Sequence, residues 1–201
     1  MPVVHAFEMR ESEVTGMRRI IANDPFATRI FPHWVAVSDR DAPDEQIWYA
    51  RSLLFEQPPT RDQYEEAWWR RLKFWLRHDK TRGLSTTSAA VISIDSFARR
   101  TRTSPDVIKI DVEGYEGRVL QGAKETLRLS RPYVLLELHS DKKLRFGFRR
   151  QEVAQALFDA NYDCLFFTDH QNKGRCEIVE VTSGDPLLSR QKTDLVLFVP
   201  R

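Results

Sequence analysis

Several residue patterns that would mark a function class are missing from this sequence. Only two cysteines occur in 201 residues, Cys164 and Cys176. They lack metal-ligand spacing and are too few for a disulfide framework, so they read as free thiols in a reducing compartment. No run approaches the roughly 20 apolar residues of a membrane span, and the opening MPVVHAFEMRESE has no long apolar stretch. The chain therefore reads as soluble, untargeted and cytoplasmic. Neither sign of charge dominates: 31 basic residues against 29 acidic leave +2, which makes no case for a nucleic-acid partner on charge alone. Internal repeats and low-complexity tracts are absent. None of the eight glycines forms GxGxxG, which removes the best support for a nucleotide-linked dehydrogenase. A hydrophobic content of 41% suffices for one sizeable core, so one domain is expected.

The most informative stretch present is Val107 to Gly117, VIKIDVEGYEG. An apolar run ending in acids and turning through glycine reads as a strand that delivers charge to a site. Alternation along a strand places Lys109, Asp111 and Glu113 on one face and Ile108, Ile110 and Val112 on the other. Near-continuous apolar strands are typical of parallel sheets, which bind ligands beyond their carboxyl ends. Gly114 permits a sharp exit, and Glu116 suits the positive N-terminus of the helix that follows.

Along the chain, Val3 to Phe7 is a short strand with Glu8 at its end, followed by a helical stripe of Val14, Met17, Ile20 and Ile21. Trp34 to Val37 is a strand ending in Ser38 and Asp39. An acid at such a tip can accept hydrogen bonds from a nucleotide, although each also fits an ordinary helix-start or turn role. Ile47 to Tyr49 and Val91 to Ile94 are further strands, and Asp95 reads as the N-cap of a short helix. Val119, Leu120, Ala123 and Leu127 form a helical stripe. Tyr133 to Leu138 is a second apolar strand, in which Glu137 and His139 share a face. If the two charged strands are neighbours, a carboxylate and imidazole cluster forms at one edge of the sheet. A helix through Val153, Ala156 and Leu157 and strands at Cys164 to Phe167, Ile178 to Val181 and Leu195 to Val199 complete an α/β pattern, largely parallel with an antiparallel edge.

Gln57 to Ser85 stands apart. Tyr64, Trp68, Leu72, Trp75 and Leu76 fall at helical spacing, and residues 60–82 carry seven basic against four acidic side chains. This aromatic, basic helical insert packs on the domain, covers the site as a lid, or meets a protein or a membrane surface.

The segment IKIDVEG, followed by VLQGA and PYVLLELH, resembles the FkbM family of S-adenosylmethionine-dependent methyltransferases. HAFEM at His5 to Met9, WVAVSD at Trp34 to Asp39, ISIDSF and the closing DLVLFVP resemble further family segments in the same order. Met9 departs from the family's usual proline, and the aromatic insert has no counterpart. The resemblance implies a Rossmann-like class I methyltransferase sheet and O-methylation of a hydroxyl on a small molecule, sugar or lipid-linked acceptor. It also implies that S-adenosylmethionine is held by Glu8 at the ribose, by Ser38 and Asp39 near the adenine, and by Asp111 and Glu113. Asp111 then lies beside the methyl group, with Glu137 and His139 as general base or acceptor contacts. A divalent ion on Asp111, Glu113, Glu137 and His139 is chemically open, but a hydrogen-bond network is the expected use, so no metal is expected. Family members begin with a strand and a glycine-rich loop, whereas this chain opens at what resembles the second strand. It is therefore expected to be an N-terminally truncated form, with a non-catalytic binding module as the alternative.

Overall fold

A computed structural model describes residues 2–25, 27–50, 53–55, 85–144, 146–169 and 176–201. The aromatic segment, apart from Ser85, lies outside the described residues. The fold is mixed α/β, with parallel and antiparallel strands, and the chain divides into two compact units, Met1–Trp34 with Asp44–Ala89 and Val35–Pro43 with Ala90–Arg201.

In the first unit, β1 (Val4–Glu8) and β2 (Ile30–Trp34) pair in parallel, Val4 opposite Ile30 and Glu8 opposite Trp34. They are joined through α1 (Glu11–Ala22), whose first turn carries Glu11 and Glu13 and whose last carries Arg19, each charge matched to the helix dipole. Of the predicted stripe only Val14 is buried, and Ile20 is 70% exposed. β4 (Ala42–Ala50) runs antiparallel to β5 (Leu53–Phe55), with Tyr49 opposite Leu54.

The second unit holds the main core. β3 (Ala36–Val37) lies parallel to the end of β6 (Ser85–Ile92). After α2 (Ile94–Thr101) come β7 (Val107–Ile110), α3 (Glu116–Gln121), α4 (Lys124–Leu129), β8 (Tyr133–Leu138), α5 (Arg150–Asp159), β9 (Tyr162–Phe167), β10 (Ile178–Val181) and β11 (Asp194–Pro200). The sheet order is β10-β9-β11-β8-β7. Only β7 and β8 are parallel in it; β11 inserts between β8 and β9, antiparallel to both, and β10 returns antiparallel on β9. β7, β8 and β9 thus share one direction, but antiparallel pairings outnumber the parallel one, more than the edge expected from sequence, because β11 runs against both of its neighbours and β10 against β9.

Period-two alternation builds the core. Val134, Leu136 and Leu138 of β8, Val196 and Phe198 of β11, and Tyr162, Cys164 and Phe166 of β9 have no exposed surface. Val119, Leu120, Ala123, Leu127, Val153 and Leu157 join the same cluster. Each large apolar side chain buried this way contributes about 1.5–3 kcal/mol. Burial pushes the Cys164 thiol up to about 12, while Cys176 is exposed. Gly122 sits where any Cβ would overlap the Ser38 carbonyl oxygen, so glycine permits the close approach of that backbone.

Two side chains do something other than their local sequence suggests. Asp95 does not cap its own helix: Ser93 does, accepting from Ser96 N–H at 3.1 Å. Asp95 instead accepts from the backbone N–H groups of Glu125 and Thr126 at 3.0 and 2.7 Å, capping the start of α4. Arg150 is 1% exposed; it donates to the carbonyls of Leu138, Leu188 and Lys192 and to Asp194 Oδ2 at 2.6 Å. One guanidinium thereby ties the end of β8 to the start of β11.

Candidate active site at the ends of β7 and β8

Lys109 lies opposite Leu135 and Ile110, the last residue of β7, opposite Leu136, so β8 runs two residues further, to Leu138. Asp111, Glu137 and His139 leave that end together, with one ligand atom from each lying within 4.8 Å of the others. The cluster expected from neighbouring strands therefore forms.

The turn after β7 sets its geometry. β7 stops at Ile110, and Glu113 and Gly114 take left-handed φ values of 53° and 103°. The expectation that strand alternation aligns Glu113 with Lys109 and Asp111 fails here, because left-handed residues break the pleat. A side chain at Gly114 would overlap the Lys143 carbonyl oxygen, so this turn rests directly on the backbone that follows His139.

Glu116, which the sequence assigns to the helix dipole, is fully buried. Its Oε1 accepts from Gly114 N–H at 3.0 Å and lies 2.5 Å from His139 Nδ1. His139 is 1% exposed, and its Nε2 is 3.4 Å from Glu113 Oε2, which in turn accepts from Lys143 Nζ at 2.9 Å. Burial works against the imidazolium, but the bond and charge of Glu116, helped by Glu113, raise His139 above its ordinary value. Lys109 Nζ donates to Asp111 Oδ2 at 2.9 Å. Burial also works against the Asp111 carboxylate, yet hydrogen bonds to Lys109 and Glu137 hold its pKa below the usual range. Glu137 is raised by burial and by the neighbouring Asp111. Two carboxyl groups in contact favour a shared proton.

The other end of the β7–α3 turn makes a second corner. Ser38, 2% exposed, bonds through Oγ to Asp39 Oδ1 and to the Tyr115 hydroxyl, each at 3.0 Å. Arg118 donates to Asp39 Oδ2 at 2.6 Å, and Tyr115 meets Phe146 edge-on at 4.8 Å. Burial opposes the Asp39 charge, but its bonds to Ser38 and Arg118 bring its pKa below the ordinary value. Glu8 belongs to the first unit, where it accepts from Arg10 N–H at 2.9 Å and from Arg10 Nε at 3.1 Å.

Of the predicted site residues, Asp111, Glu137 and His139 come together with Glu113 at their border, while Ser38 and Asp39 occupy the second corner. Sequence reasoning missed Glu116, Lys143, Tyr115 and Arg118. Glu116 had a signal, a second acid in the same turn, which a helix-dipole role accounted for. Lys143 had none. Chemically, an imidazole oriented by a buried carboxylate beside two further carboxyls suits proton removal from a hydroxyl or the holding of a cation.

The family model for the methyltransferase FkbM domain matches residues 2–164. A crystal structure of methyltransferase FkbM from Methylobacillus flagellatus KT aligns with 98% of this chain and 36% of its own, at 12% identity and a TM-score of 0.51. At that identity the likeness concerns the fold alone, and the chain spans about a third of that protein's length. No curated protein matches the chain. With more than half of its length matched, the chain belongs to the FkbM methyltransferase family.

Proposed function

We propose that this protein transfers a methyl group from S-adenosylmethionine to a hydroxyl of a small-molecule, sugar or lipid-linked acceptor. The observation that carries this reading is the Asp111, Glu137 and His139 cluster at the ends of two parallel strands in a member of this family. The five-stranded sheet is read accordingly as part of a Rossmann-like methyltransferase sheet, with β7 and β8 as its parallel members.

The donor set suits the nucleoside end of S-adenosylmethionine. Ribose hydroxyls and the adenine amine are hydrogen-bond donors; the Asp39 carboxylate, 20% exposed, can accept one, and the family resemblance assigns the ribose to Glu8. In this reading Glu8 holds the ribose, Ser38 and Asp39 border the adenine, and Glu113 and Asp111 lie toward the reacting end. When bound, the cofactor supplies an electrophilic methyl on a sulfonium. The chain's own work is to position the acceptor and take its proton. Asp111 orients the hydroxyl. His139, fixed by Glu116, and Glu137 receive or relay the proton.

Asp111→Ala should abolish methyl transfer in an assay that follows label from S-adenosylmethionine into a hydroxylated acceptor. Retained activity would move the site elsewhere. Calorimetry with S-adenosylmethionine on the 201-residue chain separates this reading from a non-catalytic binding module, which would show no cofactor affinity.

A further inference from the structure

Four carboxylates, Asp111, Glu113, Glu116 and Glu137, gather at the ends of β7 and β8 and meet two ammonium groups, Lys109 and Lys143. Glu116 has no exposed surface, and its Oε2 has no hydrogen-bond partner among the described residues. A buried carboxyl oxygen left without a partner is costly unless something nearby offsets it.

We propose that Asp111, Glu137 and His139 form a site for a divalent first-row cation, with Glu116 as the outer carboxylate that orients the imidazole. The ligand atoms lie at most 4.8 Å apart. Ligands at about 2.1 Å from an octahedral ion are separated by about 3.0 to 4.2 Å, so side-chain adjustments of less than about an ångström close the site. The half of the site that must be fixed is fixed. Glu116 occupies His139 Nδ1 at 2.5 Å, which leaves Nε2, 3.4 Å from Glu113 Oε2, to turn its lone pair to a metal that displaces that contact, the arrangement by which a second carboxylate sets the tautomer of a ligating histidine. The half that must admit an exchangeable ligand is open, because Asp111 is exposed and Glu137 half-buried. Two carboxylates and one imidazole suit Mn2+ or Zn2+ better than Ca2+, which prefers all-oxygen shells of six to eight ligands.

This proposal rests on the reading that the acceptor hydroxyl docks at this cluster. The hydroxyl oxygen becomes a further ligand, and its pKa falls. With His139 and Glu137 on the ion, the O–H bond breaks with the proton passing to water instead of to them, the oxygen lone pair forms the new bond to the methyl carbon, and the S–CH3 electrons return to sulfur.

Mn2+ titrated into the 201-residue chain without S-adenosylmethionine, followed by loss of the free-ion electron paramagnetic resonance signal, should reveal one ion per chain. Asp111→Asn and Glu137→Gln should each weaken binding at least about tenfold, and Glu116→Gln by about 10- to 100-fold. Glu180→Gln, exposed on β10, should leave it unchanged. Melting curves identify variants that fail to fold, and a Mn2+-dependent rise in the melting temperature of the unmutated chain reads the site without any variant. No binding at millimolar Mn2+, or binding unaffected by both Asp111→Asn and Glu137→Gln, overturns the proposal. A chain that binds S-adenosylmethionine but not Mn2+ loses the cation site alone. One that binds Mn2+ without transferring methyl groups keeps the site and loses the transfer reading.

Discussion

β8 lies between β7 and β11, and its Val134, Leu136 and Leu138 have no exposed surface. β7 has one partner among the described strands and leaves Val107 61% exposed, burying only Ile110. The same contrast holds where both strands end. His139, beyond β8, is 1% exposed and clamped by Glu116, whereas Asp111, beyond β7, is exposed and held by an exposed lysine. The site therefore joins a rigid imidazole to an adjustable carboxylate. Such a division lets one wall define position while the other adapts to what enters.

The contrast breaks first if the β8 side proves soft. Arg150→Leu removes the 2.6 Å bond of buried Asp194, leaving it only Arg190 at 3.7 Å and Lys192 at 3.9 Å, and should lower unfolding stability by about 3–5 kcal/mol in urea titrations; a loss below about 1 kcal/mol would mean that the end of β8 is not held as described. Gly114→Ala places a side chain at φ 103° against the Lys143 carbonyl, at an expected cost of about 1–3 kcal/mol by the same measurement. That value sharpens the contrast, because this turn is where β7 is tied to the rigid side. On the exposed side, Lys109→Met removes an ion pair whose lysine is 58% exposed, and the expected change is less than about 1 kcal/mol. A larger loss would show that Asp111 is not adjustable.

Acid is the mildest probe. Burial disfavours the charges of Asp39 and Asp41. For Asp39 the bonds to Ser38 and Arg118 outweigh it, and for Asp41 the Ser93 N–H, Ser96 and the Arg100 charge do so. Both folded pKa values lie below the unfolded one, so the unfolded chain binds protons more tightly. Their stabilisation is complete above the unfolded value of about 3.9 and is lost as pH falls through the folded values. Urea midpoints should drop between about pH 5 and 2, and Asp39→Asn should flatten part of that drop.

Much of this was legible in the sequence wherever period-two patterning meets burial. Tyr133–Leu138 is the strand that was expected, and once β7 and β8 pair in parallel, Glu137 and His139 must come near Asp111. What remained hidden depends on contacts distant in sequence. Nothing around Asp95 distinguishes a cap for its own helix from one for α4, thirty residues on. Arg150 looks like any arginine opening a helix, yet the carbonyls that bury it come from positions 138, 188 and 192. Glu113 follows an unbroken strand-like pattern, and only the left-handed turn, fitted against Lys143, removes it from the pleat.

The buried thiol on β9 has a practical consequence. Cys164 has no exposed surface and stays protonated at neutral pH, while Cys176 is exposed. A maleimide should therefore label one position quickly and the other only when β9 separates from β11 and β10. The slow rate is a clock on opening of the sheet, readable by mass spectrometry in native buffer without introducing a probe.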